Sequence, residues 1–283
     1  MKKKAMKVII AAVIATMSMG VLAGCGSNKG SEGEGSGEKS ATISISGSTS
    51  IGPLMDVEAE AYKKENAGVN IEIQQIGSSA GIKNVISGVS EIGMASRELK
   101  DEEKAEVSET VIAYDGIGLV VHPSNSVTNL SMEDIKGIYT GKIKNWKEVG
   151  GEDAPIVVVS RDESSGTRDA FQELVGFTSE ELETSATIAD GNGSVKTTVA
   201  TNENAIGYIS FEQIDDQVKA LKVDEVEPTA DNVLNKSYKL SRPFIVVYKD
   251  SNITEEGKKF IDYILSDAGQ AIVEEEGGIK LGK

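Results

Sequence analysis

Three turns of glycine and small hydroxyl residues each stand between a strand pattern and a helix pattern, and this repetition restricts the fold. The first, Gly47-Ser48-Thr49-Ser50, follows the alternating Ile43 and Ile45 of 42–46 and precedes Leu54, Val57 and Ala61 at helical spacing in 53–65. The second, Gly77-Ser78-Ser79-Ala80-Gly81, follows Val69, Ile71 and Ile73 and precedes Ile82, Val85, Ile86 and Val89. The third, Ser164-Ser165-Gly166-Thr167, has Arg161 just upstream, follows the strand 156–160 and precedes Phe171, Leu174 and Val175. The i, i+3, i+4, i+7 stripe predicts a helix, and strict alternation a strand. A helix start carries unpaired backbone N–H groups and partial positive charge, so it seats anions. Glycine permits close backbone approach and Ser or Thr adds a hydroxyl donor. One such turn is an ordinary cap; three with an arginine point to a site that closes around a small oxyanion.

The remaining pattern continues the alternation. Residues 91–96 and 111–122 read as strands, the second long and apolar, and the β-α-β-α-β order implies a mainly parallel sheet with helices on both faces. A second unit begins after His122-Pro123-Ser124-Asn125. Ser131 with Asp134 forms a capping pair ahead of Ile135, Ile138 and Tyr139. Residues 205–210 read as a strand after a Gly/Asn-rich turn at 190–194, Arg242-Pro243 introduces the strand 244–248, and Phe260, Ile261, Ile264 and Leu265 share a C-terminal helix face. Two anion-type turns fall in the first unit and one in the second, which places the site in the cleft between them.

The N-terminus bears on location. Lys2, Lys3, Lys4 and Lys7 precede the apolar run 8–22, which is too short for a comfortable membrane span and ends in Leu22-Ala23-Gly24-Cys25. This resembles a bacterial lipobox, with 1–24 as signal peptide and the thiol of Cys25, the only cysteine, carrying lipid such as palmitate. Residues 25–40 read as the lipidated cysteine and a flexible Gly/Ser/Glu-rich tether. The net charge of −16 argues against nucleic acid and against anionic lipid. It does not exclude an anionic ligand, because surface charges are screened over about 8 Å while dipoles and arginines act at contact distance. With one histidine, His122, the chain lacks partners for a metal site or a His-based triad.

Together the residues resemble the substrate-binding lipoproteins of bacterial high-affinity phosphate ABC transporters, the PstS family, over the whole mature length. The resemblance lies in Ser46-Gly47-Ser48-Thr49-Ser50, Ile76 through Gly81, Asp134 through Ile143 with Asn145-Trp146, Arg161 through Thr167, and Ala205-Ile206-Gly207-Tyr208. It implies an α/β, two-lobed periplasmic-binding-protein fold of type II, with two chain crossings and the ligand in the inter-lobe cleft. Lobe 1 would be 41–119 plus 245–283 and lobe 2 would be 120–244, with crossings near 116–121 and 242–246. It further implies a phosphate site of Thr49, Ser50 and Ser78 from lobe 1 and Arg161, Ser165, Gly166 and Thr167 from lobe 2, with Glu163 orienting Arg161. The implied partners are inorganic phosphate, ABC permease subunits and, through the lipid anchor, the outer face of the cell membrane. No cofactor, metal or catalysis is implied.

One departure matters. In this family many members carry an aspartate after the Ala-Ser that ends the third strand, where it accepts a hydrogen bond from protonated phosphate; here Ala95-Ser96 is followed by Arg97. Arg97 can bind an anion but cannot accept a proton. Asp115, interrupting the apolar strand, is the substitute acceptor, paired with Arg97, or else it is only structural. The same fold could hold another tetrahedral oxyanion such as sulfate, molybdate or tungstate, or serve a phosphate-sensing receptor. A serine hydrolase would need a histidine base near a candidate serine, which the chain lacks.

Overall fold

A computed structural model describes residues 41–282; the expected signal peptide, Cys25 and the tether lie outside the described residues. The first half runs β1 (Ala41–Gly47), α1 (Gly52–Glu65), β2 (Val69–Gln75), α2 (Ser78–Ser87), β3 (Ile92–Ala95), α3 (Asp101–Lys104) and β4 (Ser108–Val121). There follow β5 (Asn129–Leu130), α4 (Met132–Tyr139), β6 (Val157–Arg161), α5 (Gly166–Val175), β7 (Thr187–Ala189), α6 (Asn192–Ala200) and β8 (Ala205–Ser210). The chain closes with β9 (Lys219–Ala220), β10 (Lys222–Val223), α7 (Ala230–Leu234), β11 (Ser241–Tyr248), α8 (Glu255–Leu265) and α9 (Asp267–Glu275).

The strands line up as β2-β1-β3-β11-β4-β8-β6-β7. The outer trios are parallel, as the strand–helix alternation requires: β1 with β2 and β3, and β6 with β7 and β8. The two central strands run against their neighbours, with β11 antiparallel to β3 and β4, and β4 antiparallel to β8. β4 is the shared strand. Its residues up to Gly116 pair with β11, and Ile117–Val121 pair with β8. Separate cores form on either side of that change. One gathers Ile43, Ile45, Leu54, Met55, Phe244 and Phe260; the other gathers Leu119, Ile138, Tyr139, Trp146, Phe171 and Tyr208. In the second, Phe171 stacks on Tyr208 with centroids 4.1 Å apart and meets Tyr139 edge-on at 4.7 Å. Such pairs add about 0.5–1.5 kcal/mol each beyond the area they bury.

Local chemistry explains the element boundaries. Ser131 and Asp134 cap α4 reciprocally, the hydroxyl accepting from the Asp134 N–H at 3.0 Å and the carboxylate accepting from the Ser131 N–H at 3.0 Å. Helix α2 stops at Ser87 with a left-handed Gly88, so Val89 falls off the stripe and is 69% exposed. Leu174 and Leu265 also face outward rather than into the core. The expected turn at 190–194 is confined to Asp190-Gly191, with α6 starting at Asn192, and the C-terminal helix is two, α8 and α9, divided at Ser266. No helix among the described residues is long and apolar enough to cross a membrane.

Candidate functional site

The three turns, 47–50, 77–81 and 164–167, meet in space. Gly77 adopts φ +91°, a conformation an L side chain resists, and a Cβ there would strike Ser164. The bare backbone lets the Ser79 N–H donate to the Ser164 carbonyl at 3.1 Å. Gly166, the first residue of α5, packs against Ser78, the first residue of α2, with no room for a Cβ. The Ser50 and Thr167 hydroxyls lie 2.9 Å apart. The starts of α1, α2 and α5 are thereby drawn to one buried locus, and Asn192, the first residue of α6, joins them by donating to the Ser50 hydroxyl at 3.0 Å. The residues just before α1, α2 and α6 (Ile51, Gly77 and Gly191) supply no side-chain cap, so these ends rely on other partners for their N–H groups.

Arg161 lies at the centre and is 1% exposed. Its Nη2 donates to the Thr49 hydroxyl at 3.1 Å and to the Asp190 backbone carbonyl at 3.5 Å, and its Nη1 to the Asn192 side-chain oxygen at 3.4 Å, while its Nε is buried without a partner. The carboxylate beside it is Asp162 at 3.8 Å, beyond hydrogen-bond contact; Glu163, expected to orient the arginine, is exposed. Burial pushes the Arg161 pKa down, and the Arg242 charge adds to that push against Tyr208 and Asp162. A buried guanidinium so weakly compensated carries positive charge of the kind that an anion can balance.

Of the expected site residues, Thr49, Ser50, Ser78, Arg161, Ser165, Gly166 and Thr167 come together. Arg97 and Asp115 do not take the places foreseen. Every N–H of Arg97 is already committed: Nε to Asp169 at 3.0 Å, Nη1 to Glu103 at 2.7 Å and the Glu98 carbonyl at 2.9 Å, Nη2 to Glu103 at 2.8 Å and Ser79 at 3.2 Å. It has no donor left for an anion. Nor does it pair with Asp115, whose partner is Arg242 through Nε at 3.0 Å and Nη2 at 2.8 Å. Asp115 also accepts from the Ser210 hydroxyl at 2.8 Å and the Phe211 N–H at 3.2 Å. Burial pushes its pKa up, and Arg242, Ser210 and Phe211 pull it back.

The sequence reading missed Asn192 and Arg242. Arg242, 3% exposed, donates to the Ser50 hydroxyl at 3.1 Å and to the Ser96 carbonyl at 3.1 Å. Asn192 had a signal: Gly191-Asn192-Gly193-Ser194 is a fourth run of small residues at a helix start. Arg242 had none beyond its place before Pro243.

Two halves that bring helix starts and a buried arginine to a common polar centre define a binding protein of the two-lobed type. The family model for the PBP superfamily domain matches residues 32–268. The phosphate-binding protein PstS of Bacillus subtilis (strain 168) is 34% identical over 290 residues, covering 99% of this chain and 95% of the relative. A Clostridium perfringens protein, described as a phosphate ABC transporter substrate-binding protein and solved with bound phosphate, is 63% identical with TM-score 0.84, covering 85% of this chain and 100% of that one. An ABC-type phosphate transport receptor from Vibrio cholerae is 40% identical with TM-score 0.74, covering 84% and 100%. The chain belongs to the PstS family of phosphate-binding proteins.

Proposed function

We propose that this chain is the extracytoplasmic phosphate receptor of an ABC importer, binding inorganic phosphate between its lobes and presenting it to permease subunits. The observation that carries this reading is the buried, weakly compensated Arg161 among helix starts from both halves. Thr49, Ser50 and Ser78 receive the anion from lobe 1, and Arg161, Ser165, Gly166 and Thr167 close on it from lobe 2. The lobes are 41–119 with 245–283 and 120–244, a division supported by the change of β4 partner after Gly116. Closure replaces the water shell of phosphate with fixed N–H and O–H donors and requires no bond to break. Cys25 carries the lipid that holds the receptor at the membrane, and 26–40 is the tether. Calorimetric titration of the full chain with phosphate tests the reading, and absence of binding would overturn it. Release of a Cys25→Ser chain from membrane fractions tests the anchor.

A further inference from the structure

Glu212 stands where the two halves are joined. It lies in the short turn Phe211–Gln213 that follows β8, and Gly277 packs against it so closely that a Cβ on Gly277 would lie 3.5 Å from the Glu212 Cα. The segment that carries Gly277 is fixed to β4, where Tyr114 and Ile279 exchange backbone hydrogen bonds at 2.8 and 2.9 Å. In the lobe division proposed above, Glu212 belongs to lobe 2 and Gly277 to lobe 1, so their contact joins the lobes. It lies apart from the anion site. Between it and the turn 47–50 stand Arg242, bonded to Ser50, and Asp115, bonded to Arg242 and to the Phe211 N–H.

The surroundings of Glu212 do not suit a carboxylate. Its Oε2 is buried without a partner, and its Oε1 accepts from the neighbouring Gln213 side chain at 3.3 Å. Asp115 on β4 and Glu276 at the end of α9 are like charges, and a helix C-terminus adds partial negative charge of its own. The nearby cation, Arg242 on β11, forms its ion pair with Asp115 at 2.8 Å. Tyr238 packs on the Phe211 ring with centroids 5.4 Å apart and donates its hydroxyl proton to the Ile117 carbonyl. Burial pushes the Tyr238 pKa up, so it brings no charge. Burial first, and then Asp115, push the Glu212 pKa from 4.5 up to about 8, against the pull of Gln213 and Arg242.

From this cluster we infer that Glu212 is a proton-operated brace of the hinge. As a neutral acid it lets the C-terminal segment of lobe 1 seat on lobe 2, and as a carboxylate beside Asp115 and Glu276 it drives the two apart. This rests on the two-lobed receptor reading above and concerns its regulation. Opening gives the carboxylate water and distance from the like charges, so ionisation favours the open form. The closed form holds the proton over a range where the open form releases it. Closure is therefore fully supported below pH 4.5 and loses that support as pH rises toward 8, above which both forms are ionised and the dependence ends.

The experiment is calorimetric titration with phosphate, from pH 5 to pH 9, of the full chain and of its Glu212→Gln and Glu276→Gln variants. Phosphate itself ionises in this range, but equally for every chain, so the ratio of affinities isolates the protein. Relative to Glu212→Gln, the wild type should lose about tenfold in affinity between pH 5 and pH 8 and no more beyond, the result of an opening that relieves about one pH unit of the upward shift. Glu276→Gln removes one of the like charges and should show a smaller loss over the same range. Affinity ratios that stay constant with pH overturn the inference and leave the receptor reading standing. A chain that binds no phosphate at any of these pH values removes both.

Discussion

Gly166 sits directly over Ser78, so that a single added carbon at Gly166 would occupy the space of the Ser78 hydroxyl. The two belong to opposite halves of the molecule and each opens a helix. Gly166→Ala should hold the halves apart without disturbing either core. The expected result is phosphate affinity reduced by about a hundredfold, in line with a misplaced contact in a closed site. Thermal unfolding without phosphate should stay close to wild type, and the stabilisation that phosphate gives the wild type should be lost.

Arg161→Ala removes the charge on which the site is centred. Loss of a charge-assisted, buried contact to an anion costs about 3 kcal/mol or more, a hundredfold in affinity. Calorimetry should show that loss. An affinity within threefold of wild type would remove Arg161 from the site.

Arg97 spans the cleft to Asp169 rather than facing the ligand. Asp169 is 26% exposed, so the pair is partly screened and contributes about 1 kcal/mol or less to the closed form. Asp169→Asn should therefore speed phosphate release by about fivefold at most while leaving association unchanged. Stopped-flow displacement at low and high salt checks this, with the wild type approaching the mutant as salt rises.

Glu58, on the buried face of α1, has neither carboxylate oxygen partnered. Burial pushes its pKa from 4.5 up to about 8. The folded protein therefore holds this proton over a range where the unfolded chain releases it. Stability from this group is complete below pH 4.5 and is lost as pH rises toward 8, by roughly 1.4 kcal/mol per pH unit within that window. Glu58→Met fills the same space without a charge and should flatten this slope, making the variant more stable than wild type at pH 8. Thermal melts across pH 5–9 test it, and parallel wild-type and variant curves would refute it.

Much of this was legible in the chain. The turns before α1, α2 and α5 announced themselves because a strand, a small-residue turn and a helical stripe are local patterns. The strand β4 was legible for the same reason, as an apolar run. What the sequence concealed was pairing at a distance. Asp115 could be seen as an acid inside an apolar strand that needed a cation, but whether Arg97 or Arg242 supplied it depends on which strand lies alongside. β11 lies between β3 and β4, which brings Arg242 opposite Asp115 in register, and nothing local records this. Arg97 likewise looked available until α3 and α5 brought Glu103 and Asp169 against it. Leu174 and Val89 show the limit of periodicity, since each fits a stripe whose helix ends or turns too soon to bury it.

The insertion of β11 between β3 and β4 also sets an order of events during folding. Residues 241–248 are the wedge that joins β1–β3 to β4, and they come late in the chain. Until they arrive, β3 and the first part of β4 each present an open edge, the kind of edge that invites pairing with another chain. The β8-β6-β7 trio with the far end of β4 is made entirely of earlier residues and can assemble first. Strands β1–β3 thus wait for a strand that begins some two hundred residues later, a long-range closure of the kind that slows folding, and a chain released before Ser241 would keep both edges bare.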